Sequence, residues 1–398
     1  WTAVVLKAPP SLTMALEECR QGRQGLLPEV RASAPAFFQR CRDMSPEFFV
    51  EVFARFIKSI LPEAPCAYAS DLTSLRERFK EVWIIDASRL AKVAHRLKIL
   101  RNIKEAVLPG CLTVCYDLFR GIAREIAYST DAAESEHRRA EEMIPNIPKG
   151  TLLVGDALHA TIRLFRKLAS AGSHGLFRRN RLLKVKKVGP TPGRRKGNGR
   201  PKDDLVELGC GVNQPKLTVR RIKFGGFELF TDVLDPKKLT AEEALALYRR
   251  RWQVERMFFD LKEVLNLNHL YTTAPRSVAM QVFATAIVHA AMRVAQAELA
   301  RKAGIEPEMI SPKKLFPRLA AASIQRTEAA LYVWGMRKSN PGVALKEPNW
   351  NIMLPSSRIR LGSILVEPRM GRRRKRKFDP RRRRWIGYRK IAGSRKLS

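Results

Sequence analysis

The sequence predicts an α/β protein, with a mixed sheet flanked by helices, a β-rich insertion and a helical N-terminal region. Three observations carry this prediction. Between residues 79 and 180, short apolar runs of strand length alternate with helical patterns. Residues 181–240 then combine prolines and glycines with β-like pieces, while residues 1–78 show helical apolar spacing.

Composition favours a folded protein that binds a polyanion. The chain has 398 residues, of which 45% are apolar, so it is long enough for two or more domains. Its 75 Lys and Arg residues against 38 Asp and Glu give a net charge of +37. This excess is spread along the whole chain, which favours nucleic acid over a membrane surface as the partner.

The cysteines and the apolar runs bear on compartment. Six scattered cysteines include one close pair, Cys111 and Cys115, around which no zinc-ligand spacing is complete. Free thiols in a reducing cytosol fit best, and no signal-peptide pattern opens the sequence. The longest apolar run, 278–291, is too short for a bilayer and predicts a buried helix.

Residues 1–78 are basic as well as helical. Segment 45–61, SPEFFVEVFARFIKSIL, has the spacing of an amphipathic helix. A small DNA-binding domain and an interdomain spacer both fit this region. Its arginines include the following: Arg20, Arg23, Arg31, Arg40 and Arg42.

Residues 79–180 predict five strands and two helices. The first strand, 82–86, is a short apolar run that ends in an acid, Asp86, and Asp131 is placed to cap the first helix. The predicted order is strand 82–86, strand 111–119, strand 124–130, helix 131–144, strand 151–156, helix 157–172 and strand 174–179.

The insertion, 181–240, contains a glycine- and proline-rich basic stretch at 184–202, which predicts a flexible loop near DNA. The helical pattern resumes at 241, with Thr240 as the expected N-cap. It continues through 305, including a second long helix after Pro275.

A C-terminal region, 306–370, precedes a basic tail at 371–398. The tail contains RRRKRK and RRRR with Trp385 and Tyr388 interleaved. This composition predicts an arm that follows phosphates and is disordered without them.

The most informative segment is YRRRWQVERMFFDLK, residues 248–262. On a helix that advances about 100° per residue, Arg251, Glu255 and Lys262 fall at about 300°, 340° and 320° from Tyr248. One carboxylate, two cations and a phenol therefore share one strip, which suits a metal ion and a phosphate backbone. An apolar strip lies beside it, formed by Leu247, Val254, Phe258, Leu261 and Leu265.

This spacing, Y-x2-R-x3-E-x6-K, resembles the signature of the IS4-type DDE transposases at every position, and Trp252 matches their Arg-Trp-x-x-Glu core. An ordinary surface helix is the alternative, which four matched positions disfavour. The predicted order of strands and helices resembles the ribonuclease H-like fold of these enzymes. The segment 181–240 resembles the β-rich insertion that they carry between their second Asp and their Glu.

The resemblance implies a catalytic and metal-binding triad of Asp86, Asp156 and Glu255, with Mg²⁺ as cofactor and Mn²⁺ as a substitute. A pair of ions about 3.5–4 Å apart would activate the attacking oxygen and stabilise the leaving one. Asp117 is a rival for the first position. Two departures from the family pattern concern the subgroup: Ala-Ser follows Asp86 where Gly-Thr is common, and Ala-Leu-His follows Asp156 where Arg-Gly-Tyr is common.

By the same resemblance, Arg251 and Lys262 would hold phosphate oxygens and Tyr248 could donate to one. Trp252 would either stack on a base or pack in the core. His159, one helical turn past the second Asp, is expected to pack rather than to touch substrate. Two arginines at the end of the fifth predicted strand are further candidates for DNA contact: Arg178 and Arg179.

The implied function is a DNA transposase that cuts and joins insertion-element ends, with cut-and-paste movement expected. Its partners would be double-stranded DNA, namely the terminal repeats and the target, bound by a dimer on paired ends in the bacterial cytoplasm, at the nucleoid. Two alternatives stay open. One is an inactive transposase-derived DNA-binding protein, and the other is a ribonuclease H-like nuclease without strand transfer.

Overall fold

The protein is a mixed α/β structure with one large sheet flanked by helices. The computed structural model describes residues 1–20, 32–90, 110–131, 134–193, 197, 199–209, 216–272, 274–324, 364, 378–379 and 384–385.

Four helices precede the sheet, which confirms the helical prediction for the described part of 1–78. Proline at the first turn begins α4, where the missing N–H costs no hydrogen bond. Its buried Phe53 meets Phe283 of a later helix, with ring centroids 5.8 Å apart, so these helices share the core of the sheet. The helices are α1 (Thr2–Lys7), α2 (Leu12–Arg20), α3 (Ala34–Asp43) and α4 (Pro46–Ile60), followed by a 3₁₀ helix at Ser70–Glu77.

The main sheet has nine strands in the order β3-β2-β1-β4-β5-β9-β8-β7-β6. Its first five strands confirm the predicted sequence of strands. β1 pairs antiparallel with β2 and parallel with β4, and β4 pairs parallel with β5. The strands are β1 (Glu81–Arg89), β2 (Cys111–Asp117), β3 (Ile122–Ser129), β4 (Thr151–Gly155), β5 (His174–Arg178), β6 (Val185–Pro190), β7 (Lys202–Leu208), β8 (Leu217–Phe224) and β9 (Phe227–Thr231).

The β-rich insertion continues this sheet. β9 pairs antiparallel with β5, and β8, β7 and β6 follow by antiparallel pairing. Gly225 and Gly226, with φ of 54° and 85°, form the two-residue turn between β8 and β9, where the hairpin needs positive φ at both positions.

The prediction of a flexible loop over 184–202 is wrong at Val185–Pro190, which is strand β6. This edge strand keeps most of its side chains at least partly exposed, and Val188 is 62% exposed. Lysines suit such an edge because charge discourages pairing with other chains. Glycine and proline are more common in loops than in strands, so their presence in this stretch did not indicate a strand. The strand nevertheless forms because it pairs with its neighbour through the main chain.

Two of the helices that pack on the sheet begin later than predicted. α5 (Glu136–Met143) has Ser135 as N-cap, so the capping role expected of Asp131 is wrong. α6 (Ile162–Ser170) begins after Thr161, whose side chain accepts from the Leu164 N–H at 3.1 Å. The residues before it form a turn instead, because Asp156 Oδ1 accepts the Leu158 N–H at 2.8 Å.

The helix predicted after Pro275 is present as α9 (Pro275–Ala303), and its burial confirms a core helix. It is long and apolar enough to cross a membrane, but 83% of its most apolar window is buried inside the protein. Its polar side chains find internal partners: Gln281 donates to the His269 carbonyl at 2.8 Å. A further helix, α10, spans 312–324.

Of the basic tail, the structure describes Phe378–Asp379 and Arg384–Trp385, which pair as two short antiparallel strands, β10 and β11. The expectation of disorder is therefore wrong for these four positions. Outside the described residues lie the rest of 371–398, positions 325–370 except 364, and two of the predicted arginines, Arg23 and Arg31.

Candidate active site

The first two acids of the predicted triad lie near the carboxyl ends of two neighbouring strands. β1 and β4 are parallel neighbours in the register Ile84↔Val154, which confirms the expected adjacency of the two strands. Two residues beyond that pair, Asp86 on β1 and Asp156 after β4 therefore lie side by side.

Glu255 reaches these strand ends from a helical segment that is not the single regular helix predicted. The segment consists of α7 (Ala241–Arg250), α8 (Trp252–Phe259) and a π-helix at Asp260–Val264, with Arg251 between the first two. Thr240 and Glu243 form a capping box at its start, as Thr240 was expected to do.

The π-helix changes the phase of the last part of the signature. The Leu265 N–H donates to the Asp260 carbonyl at 2.9 Å, five residues back, so this turn contains one extra residue. The predicted apolar strip nevertheless faces the core, and Leu261 and Leu265 are 2% and 3% exposed. Lys262 stays on the side of the acids.

These elements line a hollow of about 470 Å³ that is open to solvent. All three predicted acids line it, together with two of the three other signature residues. Its lining is Asp86, Ala87, Ser88, Asp156, Arg251, Glu255, Phe258, Phe259 and Lys262. The structure therefore brings together side chains that are up to 176 positions apart along the chain, from 86 to 262.

Tyr248 lies behind the hollow. It is 7% exposed and packs against Phe227, with ring centroids 5.9 Å apart. Burial raises the pKa of its phenol, and the hydroxyl hydrogen-bonds Arg251. In this arrangement it supports the arginine and does not line the hollow.

Arg251 bridges two of the acids. Its two terminal nitrogens donate separately, one to Asp86 Oδ2 at 2.8 Å and the other to Glu255 Oε1 at 2.7 Å. Lys262 is also engaged within the protein, since its Nζ donates to Ser88 Oγ at 2.6 Å and to the Arg89 carbonyl at 2.8 Å.

The surroundings of Asp86 perturb its ionisation. Burial raises the pKa of its carboxyl to about 6, and the charges of Asp156 and Glu255 add to this. The Arg251 guanidinium and the Ala87 N–H oppose the shift. A carboxyl with such a pKa changes protonation close to neutral pH, which is typical of functional sites.

The carboxylates of the hollow suit a divalent cation by type. Mg²⁺ takes hard oxygen ligands, so three carboxylates around one hollow suit its chemistry. In the parts of the chain that the structure describes, however, no three His, Cys, Asp or Glu side chains are close enough to hold one ion. The donor types therefore fit while their present spacing, with Arg251 between Asp86 and Glu255, does not. The three-carboxylate metal site stays a prediction.

Asp117, the rival acid, lies elsewhere. On β2 it is paired with Trp83 of β1. Trp83 precedes Asp86 by three residues, which is about 10 Å along the strand. The carboxylate is 1% exposed and paired with Arg120 at 3.0 Å and Arg124 at 3.2 Å. These contacts describe a buried structural ion pair away from the hollow.

The remaining predicted DNA contacts differ in exposure. Trp252 is 65% exposed, so its alternative role in core packing is wrong. Arg178 is exposed at the end of β5, whereas Arg179 is paired with Glu228 at 2.9 Å. Sequence reasoning missed Phe259, which is 56% exposed at the hollow, and Ser88, which follows Asp86 by two and so shares its face of the strand.

His159 is 1% exposed and lies against Phe177, as its predicted packing role requires. Its Nδ1 has no hydrogen-bond partner among the described residues. Burial lowers the pKa of its imidazole to about 4, which the charge of Asp156 partly offsets.

This histidine should make stability depend on pH. An unfolded histidine takes up a proton near pH 6.5, whereas His159 in the folded protein, with its lowered pKa, takes one up only near pH 4. The contribution of the neutral imidazole to the free energy of unfolding is therefore fully present above pH 6.5 and is lost as the pH falls from 6.5 to about 4. We expect His159→Gln to remove on the order of 2–3 kcal/mol of that loss. Urea unfolding of both proteins between pH 7.5 and 4.5 measures the difference, and parallel curves would contradict it.

Comparison with known proteins places this geometry in context. Residues 104–290 match the family model described as the transposase DDE domain. Asp156 and Glu255 fall inside the matched segment and Asp86 falls before it. No curated protein shows a significant match. Among solved structures, the chain is similar to the piggyBac transposase synaptic complex with hairpin DNA, studied by cryo-EM, with a TM-score of 0.37, 13% identity, and coverage of 93% of this chain and 77% of that one. The match to the transposase DDE domain therefore supports the assignment of this chain to the DDE transposases.

Proposed function

We propose that this protein is a DNA transposase of the IS4 type that cuts and joins the ends of an insertion element by a cut-and-paste route. One observation carries the proposal: Asp86, Asp156 and Glu255 line the same hollow as Arg251 and Lys262 of the signature. Carboxylates beside phosphate-binding cations suit phosphodiester chemistry.

A ribonuclease H-like core is the proposed fold of the catalytic region, 79–180 with 241–305. The order β3-β2-β1-β4-β5 supports it, since the two Asp-bearing strands are central and parallel. The β-rich insertion lies between Asp156 and Glu255, as in the family that the signature resembles. The helical region, 1–78, is proposed to contribute to DNA binding.

Arg251 and Lys262 are proposed to hold phosphate oxygens, the arginine through two parallel hydrogen bonds and the lysine as a point charge. Trp252, exposed beside them, offers a flat apolar face for an unpaired base. Mg²⁺, or Mn²⁺ in its place, is the proposed cofactor of Asp86, Asp156 and Glu255, and would supply charge stabilisation for the attacking and leaving oxygens.

The proposed partners are the element's terminal repeats and target DNA, bound by a dimer that holds both ends. The net charge of +37 supports a nucleic-acid partner. The bacterial cytoplasm, at the nucleoid, is the proposed location. It contains that DNA and keeps thiols reduced, and Cys41, Cys66, Cys111 and Cys115 are free.

A joining assay tests this proposal. The full-length protein is incubated with Mg²⁺, a DNA fragment carrying its element's ends and a labelled target plasmid. Joined products support a transposase. Cleavage without joining would indicate the nuclease alternative, and DNA binding without cleavage would indicate the inactive DNA-binding protein.

Deleting the residues after Met370 removes fourteen Lys and Arg residues. We expect lower DNA affinity and a flatter salt dependence, by about 0.9 in the slope of log K against log salt for each phosphate that the shortened chain no longer neutralises. Fluorescence titration at several salt concentrations measures both quantities. A slope equal to that of the full chain, with an unchanged melting temperature, would show that the tail binds no phosphates.

A further inference from the structure

Two acids of the hollow are bridged by a cation of the protein itself. Arg251 lies between Asp86 and Glu255 and donates one hydrogen bond to each carboxylate. The three side chains are 15%, 18% and 34% exposed, so their charges are partly withdrawn from water. Partly buried charges are costly to leave unpaired, so the ionised Asp86 and Glu255 are more stable with a cation between them than without one.

We propose that Arg251 is an exchangeable counter-ion of the hollow, which leaves the carboxylates when a DNA phosphate takes its guanidinium and a divalent cation takes its place. This inference rests on the proposed function. A phosphate offers the guanidinium two parallel hydrogen bonds that replace those to Asp86 and Glu255. A divalent cation cannot share the space with the guanidinium, because the two positive charges repel each other.

Exchange makes the binding of metal and DNA mutually favourable. In the DNA-free protein a divalent cation must displace Arg251 from Asp86 and Glu255, so the guanidinium loses both of these hydrogen bonds. With a phosphate at the hollow, the guanidinium is already satisfied and the carboxylates are free for the metal. Thermodynamic linkage then requires that each ligand raises the affinity of the other by the same factor.

Lys262 follows the same pattern. In the DNA-free protein its ammonium donates to Ser88 Oγ and to the Arg89 carbonyl at the end of β1. Both signature cations therefore rest on protein acceptors near the acids. Tyr248, buried behind Arg251 and hydrogen-bonded to it, limits how far the guanidinium can move.

The test measures Mn²⁺ binding by electron paramagnetic resonance on the full-length protein, without DNA. We expect Arg251→Gln to bind Mn²⁺ about 5- to 150-fold more tightly than the unmodified protein. Arg251→Lys keeps the charge but cannot bridge two carboxylates, so it should fall between them. Arg249→Gln, an exposed arginine of α7, is the matched control and should bind Mn²⁺ as the unmodified protein does.

Addition of a 20-base-pair duplex, with its own Mn²⁺ binding subtracted, should tighten Mn²⁺ binding to the unmodified protein and leave Arg251→Gln unchanged. Equal Mn²⁺ affinity of the unmodified protein and Arg251→Gln without DNA overturns the proposal. If Arg251→Gln does not fold, the comparison with Arg251→Lys decides. Since no step of this test needs cleavage, a protein that exchanges Arg251 for Mn²⁺ but never cuts DNA would contradict the proposed function alone.

Discussion

Replacing Glu255 with Gln should abolish strand cleavage, with a loss on the order of 10³-fold or more. The amide keeps the size of the side chain but removes the negative charge that faces Asp86 and Asp156 across the hollow. DNA affinity should stay within about twofold, because no cation is lost and phosphate contacts dominate affinity. Cleavage of labelled DNA and a parallel binding titration measure the two effects.

The matched control is Glu263→Gln, which removes one exposed carboxylate from the same helical segment. Glu263 is absent from the lining of the hollow and accepts a hydrogen bond from Asn268 at 2.8 Å. Its variant should cleave at the rate of the unmodified protein. Cleavage by Glu255→Gln at that same rate would remove Glu255 from the proposed triad.

The largest expected loss of stability comes from Arg220→Met in β8. Arg220 is fully buried, pairs with Asp203 at 2.6 Å and donates to the Val233 and Leu239 carbonyls at 3.0 and 2.8 Å. Removing it takes the guanidinium away from the buried Asp203 carboxylate, which then keeps only weaker partners such as the Thr191 hydroxyl at 2.7 Å. We expect the free energy of unfolding to fall by about 3–5 kcal/mol, measured from urea unfolding midpoints and slopes.

Two comparisons make this expectation specific. Arg301→Met breaks an ion pair with Glu298 in which the arginine is 64% exposed, and should cost less than about 1 kcal/mol. A double variant, Arg220→Met with Asp203→Asn, should recover part of the loss because both charges of this pair are then removed. An Arg220→Met protein as stable as Arg301→Met would contradict the assigned role.

Arg220 also contributes to the candidate site. The two carbonyls to which it donates, those of Val233 and Leu239, belong to the segment that leads into Thr240, the N-cap of α7. Strand β8 of the insertion thereby fixes where the Glu255-bearing segment starts.

Local patterns in the sequence predicted the frame of the site. Short apolar runs located β1 and β4. Because neighbouring parallel strands have their carboxyl ends on the same side, Asp86 and Asp156 come to lie next to each other. The Thr240 cap follows from a side chain that bonds its own helix. Such features depend on residues a few positions apart, and a sequence shows these directly.

What could not be predicted depends on distant partners or on departures from ideal geometry. A helical wheel assumes constant rotation per residue, so it could not show the interruption at Arg251 or the π-helix at Asp260–Val264. The bridge from Arg251 to Asp86 joins positions 165 apart. No local pattern encodes that pair, or the pair of Arg220 with Asp203.

The way in which the insertion joins the sheet has a consequence for how such proteins can vary. The chain leaves the sheet's central part at Arg178 and returns directly opposite it, at Leu229. The chain between Asp156 and Glu255 is thus held in the sheet both where the insertion begins and where it ends. Residues inserted at the Gly225–Gly226 turn would lengthen the β8–β9 hairpin without altering the span between Asp156 and Glu255, so the insertion can vary in size while the distance between these two acids stays constant.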